Sequence, residues 1–502
     1  MYKQEKFFID GQWRSPAGTA TVAVFDPATE EQSGVFADGS KADMDRAVAA
    51  ARAAFDSGPW PRMSHGERAD VLRAAAGKLR TYQEEMAFTL TAEMGSPIAQ
   101  SLGGQMPVTV DLFEYYAGLA ADYPWESRRP AYDAANAGHD VLVRYEPVGV
   151  VGAIVPWNGP QIVAAMKLGP ALLAGCTVIL KPSPEATLNF VKFAEAFKEA
   201  GIPAGVLNIV PAGREVGEHL VTHPDVYKIT FTGSTAAGRR IGSLCGERIR
   251  RCTLELGGKS AAILLQDVDL DVALPGMIAP MMFISGQSCN AQTRILAPKG
   301  RYDEIVDALV NTVAAVPYGD PRDENTFIGP LASRQQRERV EGYLELGKQE
   351  GAKVAIGGGR PAEFDKGWYV EKTVFRDVDN HMRIAREEIF GPVYVVIPYD
   401  GVDEAVAMAN DSEYGLAGSV WTADEQAGID VARRLRSGSL GVNFYSLDCA
   451  APFGGFKNSG LGRERGPEGI APYLETKSIL VSSSRDGEVR PEDGLKDEAD
   501  LL

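Results

Sequence analysis

Short apolar runs rich in β-branched residues alternate with helical patterns along most of this 502-residue chain. Each run has the length and composition of a buried strand. The runs that predict strands lie at 148–155, 176–180, 206–210, 226–231, 260–265, 293–298, 393–399 and 417–421. Strands that alternate with helices indicate parallel sheets covered by helices. The pattern therefore predicts an α/β protein with two α/β units that join near 256–260.

Helix start signals stand between these runs. Ser64 with Glu67 forms a capping-box pattern, in which each side chain satisfies a backbone N–H of the first turn. Ser183 followed by Pro184 predicts an N-cap and a first helical residue, and this helix is expected to end near Gly201.

Two uncharged windows, 148–166 and 272–293, are long enough to cross a membrane. Proline and glycine interrupt both, at 156–160 in the first and at 275–276 and 285–288 in the second. Each window therefore predicts buried secondary structure on either side of a turn. The N-terminus has no apolar core of signal-peptide length, so we expect a soluble, cytoplasmic protein.

Composition excludes several classes of partner. The chain is 45% apolar and 24% charged, the balance of a globular protein, and its net charge is −17. So negative a charge argues against nucleic acid and against an anionic membrane surface as partners. Residues 485–502 are rich in acidic side chains and are predicted to form a solvated, mobile tail.

The five cysteines supply the first candidate chemistry. Their number is odd and they form no CxxC pair, which fits a reducing compartment without a disulfide framework. Four of them stand where a small buried apolar residue would serve, namely Cys176, Cys245, Cys252 and Cys449. Cys289 differs, because it lies among small and amide residues at a turn, where backbone N–H groups can point at a substrate. Cys289 is therefore the candidate nucleophile, although most cysteines are structural.

Three further motifs allow both a structural and a chemical interpretation. Glu255, between two leucines and before a glycine pair, is a desolvated general base or a salt-bridged surface residue. Asn158 is an oxyanion donor or a turn residue. The glycine and hydroxyl turn at 231–238 can bind an anion at a helix N-terminus, but it is not the dinucleotide fingerprint. The five histidines show no metal-ligand spacing, so no metal site is expected.

In their order and spacing, the motifs resemble the aldehyde dehydrogenase superfamily. The resemblance is carried by PWNGP, LELGGKS, GQSC, EEIFGPV at 387–393 and PFGGFKNSGLGRERG at 452–466, with FTGST and KPSPEATL in support. It covers the chain from about residue 7 to about residue 480.

The resemblance implies a fold of three parts: a modified Rossmann cofactor domain, an α/β catalytic domain with the nucleophile, and a β-rich oligomerisation arm. The expected domains are the cofactor-binding domain at 1–121 and 148–256, the catalytic domain at 257–445, and the arm with the C-terminal segment at 122–147 and 446–484. The resemblance also implies a homodimer or a homotetramer.

It further implies oxidation of an aldehyde to a carboxylic acid with NAD. Cys289 would attack the aldehyde, and the Asn158 amide and the Cys289 N–H would stabilise the oxyanion. Glu255 would activate the water that hydrolyses the resulting thioester. The cofactor-binding residues it implies are Val155, Pro156, Trp157, Lys181, Ser183, Pro184, Gly213, Gly233, Ser234, Leu256, Glu388 and Phe390.

One departure from the family pattern concerns the cofactor. Many members that prefer NAD have a glutamate three residues after the lysine matched by Lys181, where it holds the ribose hydroxyls. This chain has Pro184 there and Glu185 one place later, so NADP stays open as the cofactor.

A second departure concerns the substrate. An aromatic residue often follows PWN in the family, whereas this chain has Gly159. The substrate-tunnel residues implied by the resemblance are Gly159, Met166, Phe283 and Phe453. We expect a roomy apolar tunnel suited to bulky or aromatic aldehydes.

Three other functions remain as hypotheses. A CoA-acylating semialdehyde dehydrogenase of the same fold would pass the thioester to CoA, but the presence of Glu255 favours hydrolysis. A binding protein that keeps the fold without catalysis is the second, and a cysteine acyltransferase is the third.

Overall fold

The computed structural model describes residues 2–482, so the predicted acidic tail at 485–502 lies outside the described residues. In chain order the strands are β1 (Tyr2–Gln4), β2 (Phe7–Ile9), β3 (Gln12–Arg14), β4 (Thr21–Phe25), β5 (Gln32–Ala37), β6 (Glu126–Pro130), β7 (His139–Pro147), β8 (Val150–Ile154), β9 (Thr177–Lys181), β10 (Leu207–Ile209), β11 (Lys228–Thr232), β12 (Arg251–Glu255), β13 (Ser260–Leu264), β14 (Gln292–Pro298), β15 (Lys353–Ile356), β16 (Thr373–Arg376), β17 (Val393–Tyr399), β18 (Ala417–Trp421), β19 (Ser439–Val442), β20 (Gly460–Leu461) and β21 (Leu474–Ser482). The α-helices are α1 (Lys41–Asp56), α2 (His65–Met94), α3 (Ile98–Gln100), α4 (Met106–Gly118), α5 (Pro160–Ala174), α6 (Phe190–Glu199), α7 (Arg214–Thr222), α8 (Thr235–Glu247), α9 (Leu270–Met282), α10 (Tyr302–Ala315), α11 (Arg334–Gln349), α12 (Arg383–Arg386), α13 (Val402–Asn410) and α14 (Glu425–Arg433).

The first large sheet has the order β20-β12-β11-β8-β9-β10-β2-β3. Its centre, from β12 to β10, is parallel, whereas β20, β2 and β3 pair antiparallel at the two ends. Every residue of β8 and β9 is buried, which explains why these strands are continuous apolar runs in the sequence. The carboxyl ends of parallel strands meet at one edge of the sheet, where α/β proteins bind ligands.

The second large sheet has the order β15-β16-β17-β14-β13-β18-β19, and all its pairs are parallel except β15 with β16. It follows the first sheet after residues 256–259, near the predicted join. The mixed α/β class with two large parallel sheets is thus confirmed.

Two small sheets complete the fold: β1-β5-β4 at the N-terminus, and β21-β7-β6. The second contains the predicted hairpin, and β21 pairs with β7 along its whole length, from Leu474 opposite Pro147 to Ser482 opposite His139.

The segment 446–473, expected with the arm, lies elsewhere. Its strand β20 joins the first large sheet beside β12, with Gly460 opposite Glu255. Gly460 has φ +148°, and a Cβ there would lie 2.0 Å from the carbonyl oxygen of Leu254, so this pairing requires glycine. Of residues 446–482, only β21 pairs in the β21-β7-β6 sheet, whereas residues 446–473 contribute side chains to the site described below.

Local signals agree with the structure in one case and differ in another. At the start of α2, Glu67 N–H donates to Ser64 Oγ at 3.2 Å, and Ser64 N–H donates to Glu67 Oε2 at 2.8 Å, which confirms the capping box. Ser183 does precede a helical turn that starts at Pro184, but this is a short 3-10 helix, Pro184–Ala186, and the α-helix α6 begins only at Phe190 and ends at Glu199, near the predicted Gly201. The Glu93 carboxylate accepts from the N–H groups of residues 188 and 189, which stabilises a turn before the helix.

The two uncharged windows fold as strand, turn and helix around 148–174 and as helix and turn around 270–291. Among the residues that the structure describes, no helix combines the length and the apolarity that crossing a membrane requires.

Candidate active site

Two cavities meet at the carboxyl ends of β8, β11 and β12. One, of about 300 Å³, is called here the substrate cavity, and the other, of about 580 Å³, the cofactor cavity. Thr232, the last residue of β11, lines both. The substrate cavity brings together Asn158, Glu255 and Cys289, which lie far apart in the sequence.

A sharply bent loop positions Cys289 between α9 and β14. Ile284, Ser285 and Gly286 all have positive φ, at +51°, +56° and +73°. The hydroxyl of Ser285 donates to the carbonyl of Gly329 at 2.9 Å and accepts from its N–H at 3.0 Å, which ties the bent backbone down. Such strained backbone persists only where its surroundings over-determine it.

The Asn158 side chain is fixed by the same loop. Its amide donates one hydrogen bond to the carbonyl of Gln287 at 2.8 Å. A primary amide has two N–H groups, so the second remains available for an oxyanion in the cavity.

Cys289 is partly exposed to the substrate cavity. Burial raises the pKa of its thiol to about 12, and the negative charges of Glu388 and Glu255 act in the same direction. The thiol is therefore protonated at neutral pH, and its proton must pass to a base before it can attack a carbonyl.

Glu255 ends β12 and has only 2% of its surface exposed. Within residues 2–482, neither of its carboxylate oxygens has a hydrogen-bond partner. Burial raises the pKa of Glu255 well above its ordinary value, and the charge of Glu464 raises it further. A carboxylate so desolvated is a strong proton acceptor.

A buried ion pair stands behind Glu255. Lys167 Nζ lies 2.5 Å from Glu464 Oε1, and both side chains are almost fully buried. Lys167 also donates to Thr232 Oγ1 at 2.8 Å. Its positive charge lowers the pKa of Glu255 and so opposes the effect of Glu464.

In the cofactor cavity, Ser234 caps α8 by accepting from the N–H of Ala237, so the positive end of the helix dipole lies at the cavity. Lys181 is 6% exposed, and burial lowers its pKa to about 8. Ser183 donates a hydrogen bond to Glu185, and both line the cavity. A helix N-terminus, a lysine and a carboxylate are suited to the phosphates and hydroxyls of a dinucleotide.

The predicted cofactor residues divide into two groups. Those that line the cofactor cavity are Val155, Pro156, Trp157, Lys181, Ser183, Pro184, Gly233 and Ser234. Gly213, Leu256, Glu388 and Phe390 do not line it. The Phe390 ring packs edge-on against Trp157 with 5.4 Å between ring centres, and Glu388 Oε1 accepts from the Gly258 N–H at 3.1 Å.

All four predicted tunnel residues line the substrate cavity: Gly159, Met166, Phe283 and Phe453. A Cβ at Gly159 would meet nothing nearer than Gln105 Oε1 at 3.9 Å, so this side of the cavity is open.

The sequence of the chain matches the pattern of the Aldehyde dehydrogenase family over residues 13–479. The chain belongs to the aldehyde dehydrogenase family. The predicted family and the predicted enzyme class are thus confirmed.

Individual relatives in the family cover nearly the whole chain. Geranial dehydrogenase of Castellaniella defragrans is 47% identical over 95% of this chain and 98% of its own. A crystal structure of Mycobacterium tuberculosis aldehyde dehydrogenase complexed with NAD+ is 48% identical with a TM-score of 0.93, covering 96% of this chain and 99% of the other. A mutant of aldehyde dehydrogenase C from Pseudomonas syringae, complexed with NAD+ and octanal, is 40% identical with a TM-score of 0.91, covering 96% and 98%.

Sequence reasoning missed several residues of this aldehyde dehydrogenase site. Lys167 and Glu464 went unnoticed, although a lone charge in the apolar helix α5 is itself a signal, because lysine is rarely buried without a partner. The turn of π-helix at Ser101–Gln105, which brings Gly104 and Gln105 to the cavity, has no comparable signal. Among residues 2–482, no group of three or more His, Cys, Asp or Glu side chains could hold a metal ion.

Proposed function

We propose that this aldehyde dehydrogenase oxidises aldehydes to carboxylic acids with NAD+ through a thioester on Cys289 that water hydrolyses. The observation that carries the proposal is the convergence of a thiol, an unpartnered buried carboxylate and an amide donor in one cavity.

The first step is attack of the Cys289 sulfur on the aldehyde carbon. Glu255 is the acceptor for the thiol proton, because its pKa is raised and it lies in the same cavity. The free N–H of the Asn158 amide and the N–H of Cys289 stabilise the oxyanion of the tetrahedral adduct. NAD+, when bound, accepts a hydride from that adduct, which removes two electrons and leaves the Cys289 thioester.

The second step is hydrolysis. Glu255 first releases the thiol proton to solvent and then takes a proton from water, the hydroxide adds to the thioester carbonyl, and the sulfur leaves as thiolate. The apolar walls of the cavity limit access of bulk water, so the water that reacts is the one held by Glu255. The buried pair of Lys167 and Glu464 fixes the charge next to this base.

The cofactor cavity fits NAD+, because the α8 N-terminus suits the pyrophosphate and Lys181 with Glu185 suits the adenosine ribose. We assign to Glu185 the role that the family gives to a glutamate one position earlier. Its carboxylate raises the pKa of Lys181, so the two side chains are close enough to interact. A carboxylate there repels a 2′-phosphate, which favours NAD+ over NADP+.

The preferred substrates are apolar or aromatic aldehydes. The wall of the substrate cavity is mostly apolar, and Gly159 leaves it open. A geranial dehydrogenase and a protein crystallised with octanal among the relatives point in the same direction.

Assembly into a dimer or tetramer through the arm is part of the proposal. In β6 every residue is exposed, and β21 exposes Ile479 and Leu480. An exposed sheet edge with apolar side chains favours pairing with another chain. Analytical ultracentrifugation tests this, and a monomer at micromolar concentration would contradict it.

The direct test of the reaction follows reduced cofactor with octanal, with and without CoA. Turnover without CoA and a carboxylic acid product support hydrolysis. A strict requirement for CoA would favour the acylating branch instead, and an absence of turnover with every aldehyde would favour a binding protein.

A further inference from the structure

Arg465 is an unusual member of the substrate cavity wall. Its side chain is only 3% exposed, and it lines the same cavity as Cys289. Within residues 2–482, its Nε and Nη1 atoms have no hydrogen-bond acceptor. Two nitrogen atoms of a buried guanidinium are thus left without a protein partner among the described residues, beside a cavity whose wall is mostly apolar.

The backbone fixes this residue from both sides. Phe453 and Glu464 exchange two backbone hydrogen bonds of 2.7 Å, and the Gly466 N–H donates to the carbonyl of Cys449 at 2.9 Å. Arg465 itself has φ +60°. A residue held in left-handed backbone between two such anchors is positioned by its surroundings.

The neighbouring groups do not satisfy the guanidinium. Glu464 directs one oxygen to Lys167, and Tyr445 already bonds the Ser439 hydroxyl at 3.0 Å. Burial lowers the pKa of Arg465, and the nearby charge of Glu464 only partly offsets this effect. Burial raises the pKa of Tyr445, which lines the same cavity, and the positive charge of Arg465 opposes this effect, so the guanidinium lies close to another residue of the cavity wall.

We propose that Arg465 is a specificity-determining residue that binds an oxygen acceptor, best a carboxylate, on the part of an aldehyde substrate remote from its reacting carbon. The inference rests on the proposed aldehyde oxidation and refines its substrate class: an apolar body with an acidic far end. A carboxylate supplies the charge and the two acceptors that a guanidinium fork prefers. An unpaired buried charge destabilises a fold. A substrate carboxylate that pairs with the Arg465 guanidinium removes this cost in the complex, which explains why the charge stands in the cavity wall.

The test compares substrates of matched shape. para-Formylbenzoate is set against para-methylbenzaldehyde, and ω-oxononanoate against nonanal. para-Acetylbenzaldehyde separates a neutral acceptor from a charged one. For each substrate kcat/KM is measured with the intact enzyme, with Arg465→Met and with Arg465→Lys. Arg463→Met is the control, because Arg463 belongs to the same segment but does not line the substrate cavity: it donates to the Gly455 and Gly462 carbonyls and its guanidinium lies over the Phe456 ring.

In Arg465→Met, the ratio of kcat/KM for the acidic substrate to kcat/KM for the apolar substrate should fall by about 10- to 100-fold. This is the size of the effect of a lost charge-assisted hydrogen bond. Arg465→Lys should recover part of the ratio, and Arg463→Met should not change it. The melting temperature of Arg465→Met should stay level or rise, since an unpaired charge is replaced by an apolar side chain of similar volume.

If Arg465→Met had a lower melting temperature and lost kcat/KM equally for both substrate classes, Arg465 would have a structural role and the inference would be overturned. So would an unchanged ratio in an enzyme that oxidises both substrates. Failure of the proposed function looks different, since no aldehyde of either class would then be oxidised.

Discussion

The substrate cavity and the cofactor cavity share the residue Thr232 but differ in how most of their charges are solvated, although Lys181 in the cofactor cavity is also buried. In the cofactor cavity, Arg240 is exposed and pairs with Glu218 through two hydrogen bonds. In the substrate cavity, Glu255 and Arg465 are nearly fully buried and have no hydrogen-bond partner for most of their polar atoms within the described chain. Exposed, paired charges suit the recognition of a large polar ligand, whereas proton transfer needs a buried carboxylate without a partner.

The difference has a physical basis. A paired, hydrated charge is screened by water and changes little when a reaction occurs beside it. A desolvated carboxylate has a raised pKa and takes a proton readily, but it destabilises the folded state. We therefore expect the buried charges of the substrate cavity to lower the free energy of unfolding of the protein, while the same burial makes these groups reactive.

We expect the largest loss of activity from Cys289→Ala in the substrate cavity. Without the thiol no covalent adduct can form, so kcat should fall by at least about 10⁴-fold. Measurement of reduced cofactor with octanal checks this. Cys252→Ala is the control, because this partly exposed thiol lies on β12 outside the cavity, and its variant should keep nearly full rate. A Cys289→Ala enzyme with normal turnover would refute the mechanism.

Glu255→Gln removes the base but keeps its shape. The steady-state rate should fall by about 10²- to 10⁴-fold, the range of general-base catalysis. In the intact enzyme the rate should rise with pH, since the raised pKa of Glu255 leaves it protonated at low pH. This rise should be absent in the variant. A pH profile of the same shape in both enzymes would exclude Glu255 as the base.

Asn158→Ala tests the oxyanion donor. Removal of one such donor typically reduces kcat by about 10²- to 10³-fold with little change in KM. The control is Asn325→Ala, an exposed asparagine in a loop. A variant that raised KM with unchanged kcat would assign Asn158 to ground-state binding instead.

Much of the fold and part of the site were predictable from the sequence. The strands β17 and β18 coincide with apolar runs at 393–399 and 417–421, because a strand buried on both faces must be apolar throughout. Cys289 stands in a local sequence unlike those of the other four cysteines, whereas Glu255 is selected only by the resemblance of its motif to the family pattern.

The rest depends on contacts that no local pattern records. The turn before α6 exists because Glu93, about a hundred residues earlier, accepts from its backbone. Arg465 follows Glu464 in a glycine-rich motif where a charged residue normally indicates solvent. Backbone bonds to 453 and 449, the pairing of β20 beside β12 and the ion pair of Glu464 with Lys167 bring that segment to the cavity.

In the cofactor cavity, we expect Glu185→Gln to have a smaller effect, on the preference between the two cofactors. Loss of the carboxylate should raise kcat/KM for NADP+ relative to NAD+ by about tenfold, because repulsion of the 2′-phosphate is removed. Glu199→Gln, exposed at the end of α6, serves as the control. An unchanged cofactor ratio would place the discrimination elsewhere.

The smallest expected effect is on stability. Burial raises the pKa of Glu255 in the folded state well above its ordinary value of 4.5, so between these two pKa values the folded protein holds a proton that the unfolded chain releases. As the pH rises above about 4.5, the intact protein should lose stability relative to Glu255→Gln by about 1.4 kcal/mol per pH unit, until the folded pKa is reached. Thermal unfolding at a series of pH values measures this, with the exposed Glu468→Gln as control.

The most direct test of the account is intact-protein mass spectrometry of Glu255→Gln mixed with NAD+ and octanal. Thioester formation should proceed slowly in this variant, because the thiol proton passes to solvent in place of Glu255, while hydrolysis is blocked, so one octanoyl group should accumulate per chain, together with one equivalent of reduced cofactor. Peptide mapping should place the group on Cys289. An octanoyl group on another residue, or reduced cofactor without any acylated protein, would contradict the assignment of thiol and base to this cavity.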